Sequence, residues 1–211
     1  MDYIKNLVER KPQLKNLEPD IRMAYDILLD CYKSGSKVLI CGNGGSSADA
    51  AHITGELMKA FKKKRKLDDK FLEELKKVLS NDEESLNSFI DNLETGLPTI
   101  DITSFAALNT AFSNDKNYLY NFANNVLGLG KEGDVLIAIT TSGNSKNVIN
   151  AAIVARAKNM KVLTLTGGTG GKIKNISDVN IISPNSETYL CQEDHISIYH
   201  SLCLQLEEDL F

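Results

Sequence analysis

Short apolar runs alternate along the chain with stretches of helical spacing. Val38-Leu39-Ile40 follows Lys37, and residues 37–41 read as a buried strand. Similar runs at 98–102, 135–139, 162–165 and 179–182 predict four more strands. Between them, apolar residues recur every three or four positions. Ile21, Ala24, Tyr25, Ile27 and Leu28 predict a helix over 18–34 that ends at Gly35. Further helices are predicted over 46–61, from the segment after Thr141 to about Asn159, and over 187–210. Strands alternating with helices at this spacing imply a parallel sheet covered on both faces. Ligands of such sheets bind outside the carboxyl ends of the strands.

One segment breaks the alternation. Leu67, Phe71, Leu75 and Leu79 recur every four residues, and Leu86, Phe89, Ile90 and Leu93 form a second stripe. With little in common with their flanks, residues 62–96 read as an inserted helical hairpin in one domain spanning 1–211. The basic run Lys62-Lys63-Lys64-Arg65-Lys66 at its start reads as a solvated helix end. The alternative is a positive rim facing an anionic substrate.

Composition narrows the class. The 211 residues are 42% hydrophobic, enough for a sizeable core, and the net charge of −4 argues against binding nucleic acid through bulk electrostatics. No apolar run is long enough to span a bilayer, and residues 1–13 lack a signal-peptide apolar stretch. Cys31, Cys41, Cys191 and Cys203 show no C-x-x-C spacing, so reduced packing thiols and a cytoplasmic location are expected.

Candidate chemistry begins at CGNGGSSADAAHITGE, residues 41–56. A strand, a glycine turn and a helix start make a phosphate cradle, because backbone N–H groups and the positive end of the helix dipole face one point. Ser46 and Ser47 add hydroxyls. Two more loops rich in glycine and hydroxyls, 140–145 and 166–171, are expected at the same sheet edge. Caps and turns use the same residue types, so a single loop would be ambiguous. His52 and Glu56, at i and i+4, share a helix face and could form an acid/base or metal pair, although such pairs are more often solvated.

GNGGSSADAAH at 42–52, Asn114-Asp115, TSGNSKNV at 141–148, LTGGTGGK at 165–172 and QEDHISIYH at 192–200 together resemble the sugar isomerase (SIS) domain family. Within it, the chain is similar to the phosphoheptose isomerases. The resemblance implies a three-layer αβα sandwich with a five-stranded parallel sheet, plus the inserted hairpin. It implies interconversion of sedoheptulose 7-phosphate and a D-glycero-D-manno-heptose 7-phosphate type product. Ser46, Thr140, Ser142 and Ser145 would hold the phosphate, and Asn43, Gly44, Thr141, Asp115 and Gln192 would line the substrate. His52, Glu56, Gln192 and His200 match positions that can surround zinc in this family. By analogy Glu56 is the base and His200 its acid/base partner, while His195 falls outside the pattern. Family members often carry an arginine just after the H-x-x-x-E turn. Here Lys59 is the nearest charge.

Gln192 and His200 lie eight apart, about 12 Å along a continuous helix, too far to ligate one ion from one regular helix. Either the helix starts after Gln192 or the two come from different subunits. Because the family commonly assembles with shared sites, a homotetramer with active sites at subunit interfaces is expected. Two rivals stand beside this reading: isomerisation of another sugar phosphate, and a non-catalytic SIS module that binds a sugar phosphate or a protein.

Overall fold

The computed structural model describes residues 1–211. In chain order it contains α1 (Tyr3–Arg10), α2 (Glu18–Lys33), β1 (Val38–Gly42), α3 (Gly45–Met58), α4 (Asp69–Val78), α5 (Glu83–Asn92), β2 (Thr99–Asp101), α6 (Ala106–Asp115), α7 (Asn121–Leu129), β3 (Val135–Ile139), α8 (Lys146–Ala157), β4 (Lys161–Gly167), β5 (Val179–Ser183) and α9 (Thr188–Leu210). The five strands form one parallel sheet in the order β2-β1-β3-β4-β5. Leu39 pairs with Leu136, and Leu136 with Val162.

The two-residue period of the strands sorts their side chains into two cores. Val38, Ile40, Val135, Ile137 and Ile139 join Ile21 and Leu28 of α2, Ile53 and Leu57 of α3, and Ile198 and Leu202 of α9. Leu39, Cys41, Leu136 and Ala138 face the other way, onto Phe122 and Val126 of α7 and Ala151, Ala152 and Ala155 of α8. The result is an α/β three-layer sandwich with the sheet in the middle. Its buried strands carry continuous apolar runs because helices cover both faces.

Several expectations change. The helix predicted over 46–61 stops at Met58, so the basic run is not a helix end. Arg65, within that run, is 1% exposed and paired with Glu207 of α9. A buried guanidinium requires a partner, and Glu207 supplies it from the far end of the chain. The N-terminal segment, read only as charged, forms α1, which buries Ile4 and Leu7. Residues 103–134, left without an element, contain α6 and α7.

Helices α4 and α5 bury no residue, and Phe71, Phe89, Ile90 and Leu93 remain partly open. Capped by Asp68 and Asp82, the pair stands apart from the sheet. All four cysteines are free and buried, and burial raises the thiol pKa values of Cys41 and Cys203, which leaves them inert. No helix is long and apolar enough to cross a membrane.

Candidate active site

The strand-to-helix turns bring the three predicted loops together at the carboxyl edge of the sheet. Asn43, after β1, and Asn147, in the first turn of α8, exchange amide hydrogen bonds of 2.9 Å in both directions. Thr140 Oγ1 and Ser145 Oγ lie 3.0 Å apart. The third loop interlocks with the second: Gly167 donates its N–H to Thr141 O at 2.9 Å, and Ile173 donates to Gly143 O at 3.1 Å. At Gly143, φ is +65° and an added Cβ would stand 2.0 Å from Gly170 O. Only glycine permits that approach.

Neither Gly44, the cap of α3, nor Ser145, the cap of α8, makes a side-chain capping hydrogen bond to its helix. The hydroxyls in these loops are therefore not spent on capping. Ser46 is buried at the start of α3, and Ser142 is exposed, its Oγ accepting from Asn144 N at 3.1 Å. Two helix N-termini without side-chain caps, together with Thr140, Ser142 and Ser145, suit an anion such as phosphate.

A second cluster lies toward the other end of α3. His52 Nε2 is 3.3 Å from Glu56 Oε1 and 3.5 Å from His200 Nε2 on α9. Lys59 Nζ reaches Glu56 Oε2 at 3.3 Å, so the lysine left in question by the sequence sits on the carboxylate. Tyr199 OH lies 2.9 Å from His52 Nδ1 and donates to Asp49 Oδ1 at 3.4 Å. Burial pushes the Asp49 carboxyl up to about 6, against the opposing pull of the Tyr199 hydrogen bond and the His52 charge. Burial, assisted by His52, lowers the His200 pKa, while Glu56 acts in the opposite direction. A carboxylate beside one imidazole, with a second imidazole reaching the first, is a set of groups able to remove and return protons. No group of three or more His, Cys, Asp or Glu side chains is arranged to hold a metal ion as it stands.

Two models described as the SIS domain match residues 2–99 and 115–207. Phosphoheptose isomerase from Leptospira biflexa is 38% identical over 209 residues, covering 99% of this chain and 93% of that protein. The chain belongs to the phosphoheptose isomerase family. Phosphoheptose isomerase from Helicobacter hepaticus is also 38% identical, over 92% of this chain and 84% of its own. A solved phosphoheptose isomerase from Francisella tularensis superposes with a TM-score of 0.77 at 31% identity, covering 98% of this chain and 95% of that one. The chain is thus an enzyme of the isomerase class.

Family membership sharpens what the chain does and does not bring together. His52, Glu56 and His200 converge within one chain, but Gln192 does not join them. Its amide lies over Gly45, where an added Cβ would stand 2.1 Å from Gln192 Nε2. Helix α9 runs unbroken from Thr188 to Leu210, so a helix beginning after Gln192 is ruled out. Asp115 is the last residue of α6, not an N-terminal cap, and its side chain accepts from Asn114 Nδ2 at 3.0 Å. His195 is fully buried, with Nε2 3.0 Å from Thr166 O, and burial lowers its pKa. Asp49, Tyr199, Arg65 and Glu207 were missed. For Asp49 and Tyr199 a signal existed: Asp49 precedes His52 by three residues, and Tyr199 adjoins His200.

Proposed function

We propose that this chain interconverts sedoheptulose 7-phosphate and the corresponding D-glycero-D-manno-heptose 7-phosphate through an enediol. The carrying observation is the Glu56 carboxylate beside His52, which in turn meets His200, in a phosphoheptose isomerase family fold. Glu56 removes a proton from C1 of the ketose, and that electron pair forms the C1=C2 bond as the C2 oxygen takes up a proton. The O1 proton then leaves, C1 becomes the aldehyde carbon, and C2 receives a proton. His200 moves protons at the two oxygens. Ser46, Thr140, Ser142 and Ser145 hold the phosphate, while Asn43, Gly44, Thr141, Asp115 and Gln192 line the sugar.

The donor types suit zinc, which imidazole and carboxylate commonly ligate, although no three of them are arranged to hold it within one chain. His52, Glu56 and His200 would hold the ion, with Gln192 as a fourth ligand, and bound zinc would polarise the carbonyl and enediol oxygens.

Reach supports a shared site. Glu56 lies eleven residues beyond Gly45 on one helix, about 16 Å along its axis. The carbon chain and ester link of a heptose 7-phosphate are shorter than that. Phosphate loops from one subunit and Glu56 from another would close the gap, and would also bring Gln192 to the histidines. A homotetramer with interfacial sites meets this need. Free, buried thiols support a cytoplasmic setting.

Purified protein incubated with sedoheptulose 7-phosphate should form the aldose, and no product would defeat the reading. A panel of other ketose phosphates separates the alternative sugars, and tight binding without turnover would indicate a non-catalytic module. Mixed oligomers of inactive Glu56→Gln and Ser142→Asp variants should regain activity if the site is shared. No recovery in verified hybrids would place both groups in one chain's site.

A further inference from the structure

Glu56 occupies the last turn of α3, where backbone carbonyls lack intrahelical donors. Such ends fray unless capped, commonly by a left-handed glycine or by basic side chains in the last turn. Neither is present: Lys59 follows in an extended conformation, with φ −133° and ψ 171°, and the last turn holds no basic residue. Leu97 N donates to Leu57 O at 2.9 Å, and the remaining donors come from Arg65. Its Nη1 donates to Leu57 O at 2.6 Å and its Nη2 to Glu56 O at 3.0 Å. Its Nε donates to Glu207 Oε1 at 3.0 Å.

Glu207 is anchored in turn. Its carboxylate accepts from the backbone N–H groups of Phe61 at 2.8 Å, Lys62 at 2.7 Å and Lys63 at 3.0 Å. Both side chains are essentially sealed from solvent, at 0% and 2% exposure. Glu207 lies seven residues, two turns, beyond His200 on the same face of α9. Phe61, whose N–H binds Glu207, packs its ring 5.4 Å from that of His200. One ion pair thus connects the backbone of Glu56 to the helix that carries His200.

We propose that Arg65 and Glu207 are positioning residues: a latch that fixes the Glu56 backbone against α9 and so sets how its carboxylate meets the substrate carbon. The proposal rests on Glu56 being the base. A buried ion pair is in general an expensive way to hold a fold, since apolar residues of similar volume often serve as well. What apolar residues cannot supply is a planar fork of donors reaching two carbonyls and a carboxylate at once. Lysine cannot supply it either.

The test compares Arg65→Met/Glu207→Gln with the parent. Removing both charges leaves no uncompensated ion, and glutamine still offers an acceptor to the 62–63 N–H groups. The double variant should fold, hold KM within about threefold, and lose kcat by about 10- to 100-fold, the scale of a displaced reacting group. Combined with Glu56→Asp, the kcat losses should be non-additive, because both changes alter the reach of one carboxylate. Parent-like kcat in the folded double variant, or strict additivity, would overturn the latch. Should the double variant not fold, Arg65→Lys decides: it keeps the charge pair but not the fork, and an unchanged kcat would overturn the proposal. Glu56→Gln is measured alongside. If that variant turns over normally, the base assignment fails. If it is inactive while the latch variants run at full speed, only the latch fails.

Discussion

The two ends of α3 are built by different means. At its N-terminus, the binding surface is mostly backbone: a glycine turn, two helix starts without side-chain caps, and loops so close that Gly143 admits no Cβ beside Gly170. At its C-terminus, the cluster is built of side chains from distant parts of the chain: Glu56 meets His52, His52 meets His200 and Tyr199, and Arg65, paired with Glu207, donates to the Glu56 carbonyl. A backbone cradle grips a common group such as phosphate, and its geometry is inherited from the sheet. A side-chain cluster must be positioned residue by residue, so its support reaches much farther through the chain.

This contrast is broken most strongly at Glu56. Glu56→Gln should lower kcat by roughly 10²- to 10⁴-fold, the usual contribution of a general base. Isothermal titration should show sugar-phosphate affinity little changed. Ser142→Ala should do the reverse, weakening binding by on the order of 1.5–3 kcal/mol, the worth of one hydrogen bond to a charged group. It should leave the step on bound substrate near its parent rate in single-turnover measurements. If both variants lost only kcat, the division between the ends would be wrong.

The latch adds a pH signature. Burial alone would raise the Glu207 carboxyl, but the N–H groups of Phe61, Lys63 and Lys62 and the Arg65 guanidinium hold it below its ordinary 4.5. A depressed folded pKa contributes stability that is present above 4.5 and lost as pH falls through the folded value. Melting temperature measured on acidification should drop in that window, and Glu207→Gln should remove this part of the slope. The smallest effect is expected from deleting residues 67–94. Because α4 and α5 bury nothing, global stability by denaturant titration should change by no more than about 1 kcal/mol.

The sheet was legible because its strands are short and built largely around apolar runs, and each one predicted coincides with an observed strand. What escaped lacked such a pattern. Helix α6 buries no residue, and α7 is a nine-residue element interrupted by Asn124 and Asn125. The glycine- and hydroxyl-rich loops announced themselves through local motifs, whereas the opposite cluster did so only in part. Gln192 and His200 could be paired by motif, but their spacing left open whether the helix begins after Gln192, and α9 runs through both. Arg65 was invisible among five consecutive basic residues, since nothing local marks which of them will be buried. Glu207 was equally hidden, beside Glu208 and Asp209.

The hairpin leaves and re-enters the body at nearly one point. Thr95 Oγ1 donates to Lys66 O at 2.6 Å, and Leu97 N donates to Leu57 O at 2.9 Å. With the stem pinned, the remainder of the chain is insensitive to what the segment contains, since the entropy of closing a flexible loop rises only with the logarithm of its length. At the far tip, Ser80 and Asn81 turn with φ of 53° and 63°. That tip is a natural attachment point for a dye or a small reporter domain, a place from which the protein can be followed by fluorescence without touching the candidate site.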